Sequence, residues 1–270
     1  MQRTRAERAG VWLSGAGVAL LAVVLMLEGC QGRLPTTAVG AVPPDLPATE
    51  TRVSVQSGSL LSSGGCRFDY DLYRSDSGSE RAQIVLAHGF LRDRSRMRGL
   101  AQVLAATGWT TAAIDLCNMR PWDGAHRQNA ADLRQAAVAL GQSEVVYAGF
   151  SAGGLAALLA AADDPSSIGV LALDLVDQDG LGRRAAETLG RPIIGLFGDA
   201  SRCNADNNGL AVLAAAGQGE VIRIAGATHC DFESPSDGLC RLLCEPAQRA
   251  DADAGQMRKA VIATSVAAEE

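Results

Sequence analysis

Histidine is scarce in this chain of 270 residues: His88, His126 and His229 are all it has. Imidazole is the side chain that changes charge near neutrality, so chemistry relying on it is confined to three places. No paired C-x2-C spacing occurs, which argues against a structural zinc site. No basic run occurs either, and the formal net charge is −6, which argues against a nucleic-acid partner. No internal repeat is evident, so a solenoid or propeller is not expected. What is present is an ordinary globular composition, 47% apolar and 20% charged, with length enough for one sizeable core.

The N-terminus has a composition of its own. Arg3, Arg5 and Arg8 form a basic stretch, and Val11 to Leu27 is an apolar run broken only by Ser14 and small residues, the pattern of a secretory signal. It ends at Leu27-Glu28-Gly29-Cys30. A leucine three before a cysteine and a glycine just before it resemble a bacterial lipobox, which implies acylation of Cys30 as the new N-terminus; Glu28 is an unusual occupant of its position. An uncleaved span is the alternative, although 17 residues fall short of the roughly 20 that cross a bilayer. Gln31 after the cysteine points toward an outer-membrane site in a cell with two membranes. The expectation is an exported cell-envelope lipoprotein on the periplasmic or outer-membrane face, or a secreted protein. Without residues 1–29, which hold three arginines and two glutamates, the charge falls to −7. Residues 30–49, rich in Pro, Thr, Ala and Val, read as a flexible tether. A catalytic domain is expected over 50–247, and 248–270 reads as a polar, alanine-rich tail or frayed helix without chemistry.

Within the domain, apolar and helical stretches alternate. Strands are predicted at 52–56, 67–73, 82–87, 110–115, 144–149, 169–174, 192–197 and 220–224, and helices near 95–107, 126–140, 152–162 and 206–217. Buried strands separated by helices predict an α/β fold with a mostly parallel, doubly covered sheet of eight strands.

Gly149-Phe150-Ser151-Ala152-Gly153 follows the apolar run 144–148 and precedes the helix-prone 154–160. A strand, then G-x-S-x-G, then a helix is the context of a nucleophile elbow, in which Ser151 would be presented above the sheet. The alternative is a chance Gly/Ser turn in a chain with 30 glycines. The serine needs a base later in the chain, and only His229 lies there, on the loop after the strand 220–224. The acid is open: Asp174 and Asp199 both end apolar runs, and Asp177 could instead cap or pair locally.

The segments His88-Gly89-Phe90, Gly149 to Gly153, Leu173-Asp174-Leu175-Val176-Asp177 and Thr228-His229 resemble the α/β-hydrolases over roughly residues 52 to 245. More narrowly, they are similar to the branch of chlorophyllases, platelet-activating-factor acetylhydrolases and bacterial polyester hydrolases. In the first two the acid ends the strand after the elbow helix, which carries over to Asp174; in the third it comes one strand later, which favours Asp199. The reading adopted takes Asp174. Chlorophyllases carry a charged residue after the serine, where this chain has Ala152. The resemblance implies an oxyanion hole from the backbone N–H groups of Phe90 and Ala152, with His88 holding the loop.

The interval 175–191, where α/β-hydrolases usually insert a lid, is short, so no large lid is expected. Phe90, Trp122 and Phe150 are expected to line the site and Trp109 to lie in the core. Apart from Cys30, six cysteines remain: Cys66, Cys117, Cys203, Cys230, Cys240 and Cys244. An even number in an exported chain fits up to three disulfides, one of which could tie the 203 loop to the His229 region. The function expected is hydrolysis of a small-molecule or lipid ester through an acyl-enzyme, with no cofactor or metal and with membrane attachment through Cys30. A peptidase or acyltransferase on the same triad, or an inactive surface-binding lipoprotein, are the alternatives.

Overall fold

The computed structural model describes residues 36–39, 51–76, 81–117, 124–141, 143–245 and 251–268. The chain divides into Met1–Arg33 and Leu34–Glu270, and the described residues all belong to the second. The segment expected to be a signal, Cys30 and Trp122 lie outside them.

Nine strands form one sheet: β1 Thr36–Val39, β2 Val53–Leu61, β3 Arg67–Ser75, β4 Gln83–Ala87, β5 Thr110–Ile114, β6 Val145–Phe150, β7 Ser167–Leu173, β8 Ile193–Phe197 and β9 Gly219–Ile224. Their order is β1-β9-β8-β7-β6-β4-β5-β3-β2. All neighbours are parallel except β2 with β3 and β3 with β5. Eight of the strands are those expected. The ninth corrects the tether, because the β-branched pair at the start of Thr36-Thr37-Ala38-Val39 lets this stretch pair in parallel with Val221–Ile224 at the sheet edge. Strands β4, β5 and β6 are buried at every position, as expected of parallel strands covered on both faces.

One face packs against α2 His126–Leu140, α3 Ala152–Asp163, α4 Leu181–Leu189 and α5 Leu210–Ala215. The other packs against α1 Arg98–Ala106 and α7 Asp251–Ala268. A short helix, α6 Gly238–Cys244, lies between β9 and α7 in sequence. The chain leaves β4 for β5 on one side and returns to β6 on the other. Loops at the C-terminal ends of β4 and β6 therefore diverge and open a crevice, the usual place for a site in such a sheet.

The interval 175–191 holds α4, whose Ala186 and Leu189 are buried on the sheet face. It is a crossover helix, in keeping with the absence of a lid there. The stretch expected as a tail or frayed helix is helical and packed. Residues 251–268 form α7, with Ala254, Ala260, Val261, Ala263, Thr264 and Ser265 buried. Its polar side chains can be buried because they bond within the helix: Thr264 Oγ1 donates to Ala260 O at 2.8 Å and Ser265 Oγ to Val261 O at 2.8 Å. Trp109 is buried in the core, as expected.

If α7 closes the core, Val261→Asp buries an unpaired charge costing several kcal/mol. The melting temperature should then fall by roughly 5 °C or more. A shift within about 1 °C, measured by calorimetry, would instead fit a solvated tail.

Candidate active site

Ser151 sits between β6 and α3 with φ 55° and ψ −120°, a left-handed backbone that an L-residue holds only where its surroundings enforce it. The enforcement is steric. A Cβ on Gly149 would collide with the Gly153 carbonyl, and one on Gly153 with the His88 carbonyl. Only glycine allows strand, helix and the β4 loop to meet this closely. Two hydrogen bonds then fix the turn: Ser151 N–H donates to Leu173 O at 2.9 Å, and Val176 N–H donates to Ser151 O at 3.4 Å.

The three residues singled out from sequence come together. His229 Nε2 lies 3.1 Å from Ser151 Oγ, and His229 Nδ1 lies 2.6 Å from Asp174 Oδ2. Asp174 is fully buried at the end of β7. Its carboxylate also accepts from Gly198 N–H at 3.1 Å and from Asn204 Nδ2 at 3.1 Å. Asp199 does not reach His229; it is exposed and accepts from Gly226 N–H at 3.3 Å. Asp177 accepts from Gly182 and Arg183 N–H at 2.7 and 3.4 Å, which anchors the first turn of α4. Asn204 was not visible in the sequence. It lies in the turn Arg202–Asn207, whose Ala205 and Asp206 have φ near 50°, and no periodic signal places such a residue.

His229 opens a 3-10 turn, His229–Phe232, capped by Thr228 and Asp231. Its ring tilts against Phe150 with centroids 4.5 Å apart. His88 is wholly buried, with Nε2 accepting from Leu116 N–H at 3.1 Å and Nδ1 donating to Gly89 O at 2.7 Å. Burial holds its pKa below the ordinary value, so a neutral ring pins the loop His88–Arg92 to the end of β5. Among the described residues, the N–H groups of Phe90 and Ala152 have no hydrogen-bond partner. His126 lies at the start of α2, bonded to Gln178 at 2.5 Å.

The His88–Arg92 loop is joined to the segment after His229 by charge. Arg92 makes a two-pronged, buried pair with Glu233, at 2.5 and 2.7 Å, and reaches Asp237 at 2.9 Å. Burial opposes the arginine charge, but hydrogen bonds to Glu233 and Asp237 outweigh it and raise its pKa. The Cys240 N–H and then Arg92 pull Asp237 down to about 2.

Three disulfides join Cys66–Cys117, Cys203–Cys244 and Cys230–Cys240. The tie between the 203 loop and the His229 region exists, but through α6 rather than directly. Cys240 and Cys244 are one helical turn apart and each takes one loop. Beside Ser151 lies a cleft of about 200 Å³ whose lining includes Phe90, Phe150, Leu239 and Leu243. The wall contributed by α6 was not anticipated.

A family profile described as alpha/beta hydrolase fold matches residues 83–182, and among curated proteins no sequence matches. A dienelactone hydrolase from Anabaena variabilis is similar at 23% identity and a TM-score of 0.53, over 65% of this chain and 88% of that one. A ferulic acid esterase from Streptomyces cinnamoneus is similar at 16% identity and 0.62, over 82% and 90%. An alpha-beta serine hydrolase homologue from Coxiella burnetii gives 14% and 0.55, over 64% and 88%. Sheet order, elbow and these likenesses agree: the chain has the alpha/beta-hydrolase fold.

Proposed function

We propose that this protein is a serine hydrolase of carboxylic esters. The observation that carries the reading is the relay from Ser151 through His229 to Asp174, with spacings of 3.1 and 2.6 Å. In this reading His229 Nε2 takes the Ser151 proton as Oγ attacks the ester carbonyl. Asp174 holds the Nδ1–H, fixing the tautomer and stabilising the imidazolium that forms. The unpartnered N–H groups of Phe90 and Ala152 receive the oxyanion. His229 then returns the proton to the departing alcohol. Water, activated by the same imidazole, attacks the acyl-enzyme and regenerates Ser151. The esterase-type fold neighbours support the reaction class, and the acid at the end of β7 favours the chlorophyllase and acetylhydrolase placement over the polyester-hydrolase one.

We further propose that the chain is an envelope lipoprotein anchored by acylated Cys30, on the strength of Leu27-Glu28-Gly29-Cys30 and the basic and apolar stretches before it. The three disulfides support an oxidising compartment.

Ser151→Ala should lose roughly 10⁴-fold or more in turnover of a p-nitrophenyl ester while remaining folded; retention of more than about a tenth of the activity would remove the serine from the role.

Asp174→Asn should cost about 10⁴-fold, because the imidazole takes the wrong tautomer, and Asp199→Asn should cost far less. The reverse ranking in one assay would move the acid to the later strand.

Cys30→Ser should abolish incorporation of a clickable palmitate analogue and release activity from the membrane fraction. Unchanged labelling would contradict the anchor.

A further inference from the structure

The helix α6, Gly-Leu-Cys-Arg-Leu-Leu-Cys, is held in an unusual way for its composition. Leu239, Leu242 and Leu243 are 51%, 80% and 68% exposed, and Cys240 is its one buried residue. Helices in soluble domains normally stay in place by burying such leucines. Here the attachments are the Cys230–Cys240 and Cys203–Cys244 bridges at successive turns. At the N-terminus, Asp237 accepts from Cys240 N–H at 3.0 Å and pairs with Arg92 and Arg96 at 2.9 and 3.1 Å. Covalent and ionic bonds hold the helix, so its apolar side remains free for another use.

That side is divided. Leu239 and Leu243, one turn apart, line the cleft with Ser151 and His229, whereas Leu242 does not. A third leucine reaches the cleft from the oxyanion loop. Leu91 is 52% exposed and has φ 57°, a backbone that a leucine rarely adopts and that surrounding structure must enforce. The charged groups of the described lining, Arg92 and Glu233, are paired with each other, so neither offers a free charge to a substrate.

We propose that the cleft takes esters bearing an aliphatic chain, laid between Leu91 and the Leu239–Leu243 turn, with the two bridges holding α6 as a fixed wall. The inference rests on the serine-esterase reading and adds the substrate class. The chain can belong to the acyl group or to the alcohol, since both leave the same carbonyl carbon.

The test is kcat/KM, below micellar concentrations, for two graded series: p-nitrophenyl acetate, butyrate, hexanoate and octanoate, and ethyl, butyl, hexyl and octyl acetate. One series should rise by about fourfold for each methylene that enters the cleft, then level off; which series rises identifies the acyl or the alcohol side. Leu239→Ala/Leu243→Ala should flatten that slope, Leu243→Met should retain it, and Leu242→Ala, outside the cleft, should leave it unchanged. A slope near zero in both series, or an unaltered slope in the double variant, overturns the chain-binding wall. Fluorophosphonate labelling of Ser151 separates the two levels: a labelled, acetate-cleaving enzyme with flat slopes sinks only this inference, and an enzyme neither labelled nor active sinks the esterase reading with it.

Discussion

The site depends on a single steric constraint, the close approach of three backbone segments at Gly149 and Gly153. The end of β6, the first turn of α3 and the carbonyl of His88 meet where no Cβ fits. The residue between the two glycines is driven to φ 55°, a conformation costing about 1–3 kcal/mol. Buried strands on either side and the bond to Leu173 O maintain it. The consequence is local: Ser151 is placed at the start of α3, where the first N–H groups of a helix lack intrahelical partners. A side chain at Gly153 would push the His88–Arg92 loop away, and one at Gly149 would push the first turn of α3 off β6.

Ser151 and Asp174 ride on the sheet, but His229 does not. His229 lies on an excursion beyond β9 whose Ala227 and Phe232 pack into the core, and covalent and ionic bonds add to that packing. Two disulfides run from α6, one to Cys230 beside the base and one to Cys203 beside Asn204, which itself bonds to Asp174. The buried Arg92–Glu233 pair joins this excursion to the loop carrying Phe90. Pairs of this kind add little net stability, yet losing one partner strands the other charge. The arrangement therefore ties the His229 excursion to the His88–Arg92 loop, and a tie of that sort is what the proposed, preorganised site needs.

Most of the frame was legible. The runs 82–87, 144–149, 169–174 and 192–197 read as strands because parallel, doubly covered strands are nearly continuously apolar. Ser151 was legible from its two glycines, and His229 from the scarcity of histidine. The acid was ambiguous for a physical reason. Asp174 and Asp199 end adjacent strands, and only the side-chain direction distinguishes a carboxylate 2.6 Å from His229 from one bonded to Gly226. The packing of α7, more than its helicity, escapes the sequence, because its buried Thr264 and Ser265 satisfy their hydroxyls within the helix and polarity does not mean exposure. Thr36–Val39 was submerged in a proline-rich context. Asn204 and the wall α6 depend on loop geometry and on cysteine pairing, neither of which leaves a periodic trace.

The central claim is that Ser151 carries the acyl group during turnover. Rapid mixing with p-nitrophenyl acetate, followed by acid quench and mass spectrometry of the digested protein, measures it directly. The account predicts a burst of p-nitrophenol no larger than one equivalent and an acetyl adduct on the peptide containing Ser151, absent from Ser151→Ala. Turnover with the adduct on another residue, or undiminished turnover by Ser151→Ala, would contradict it.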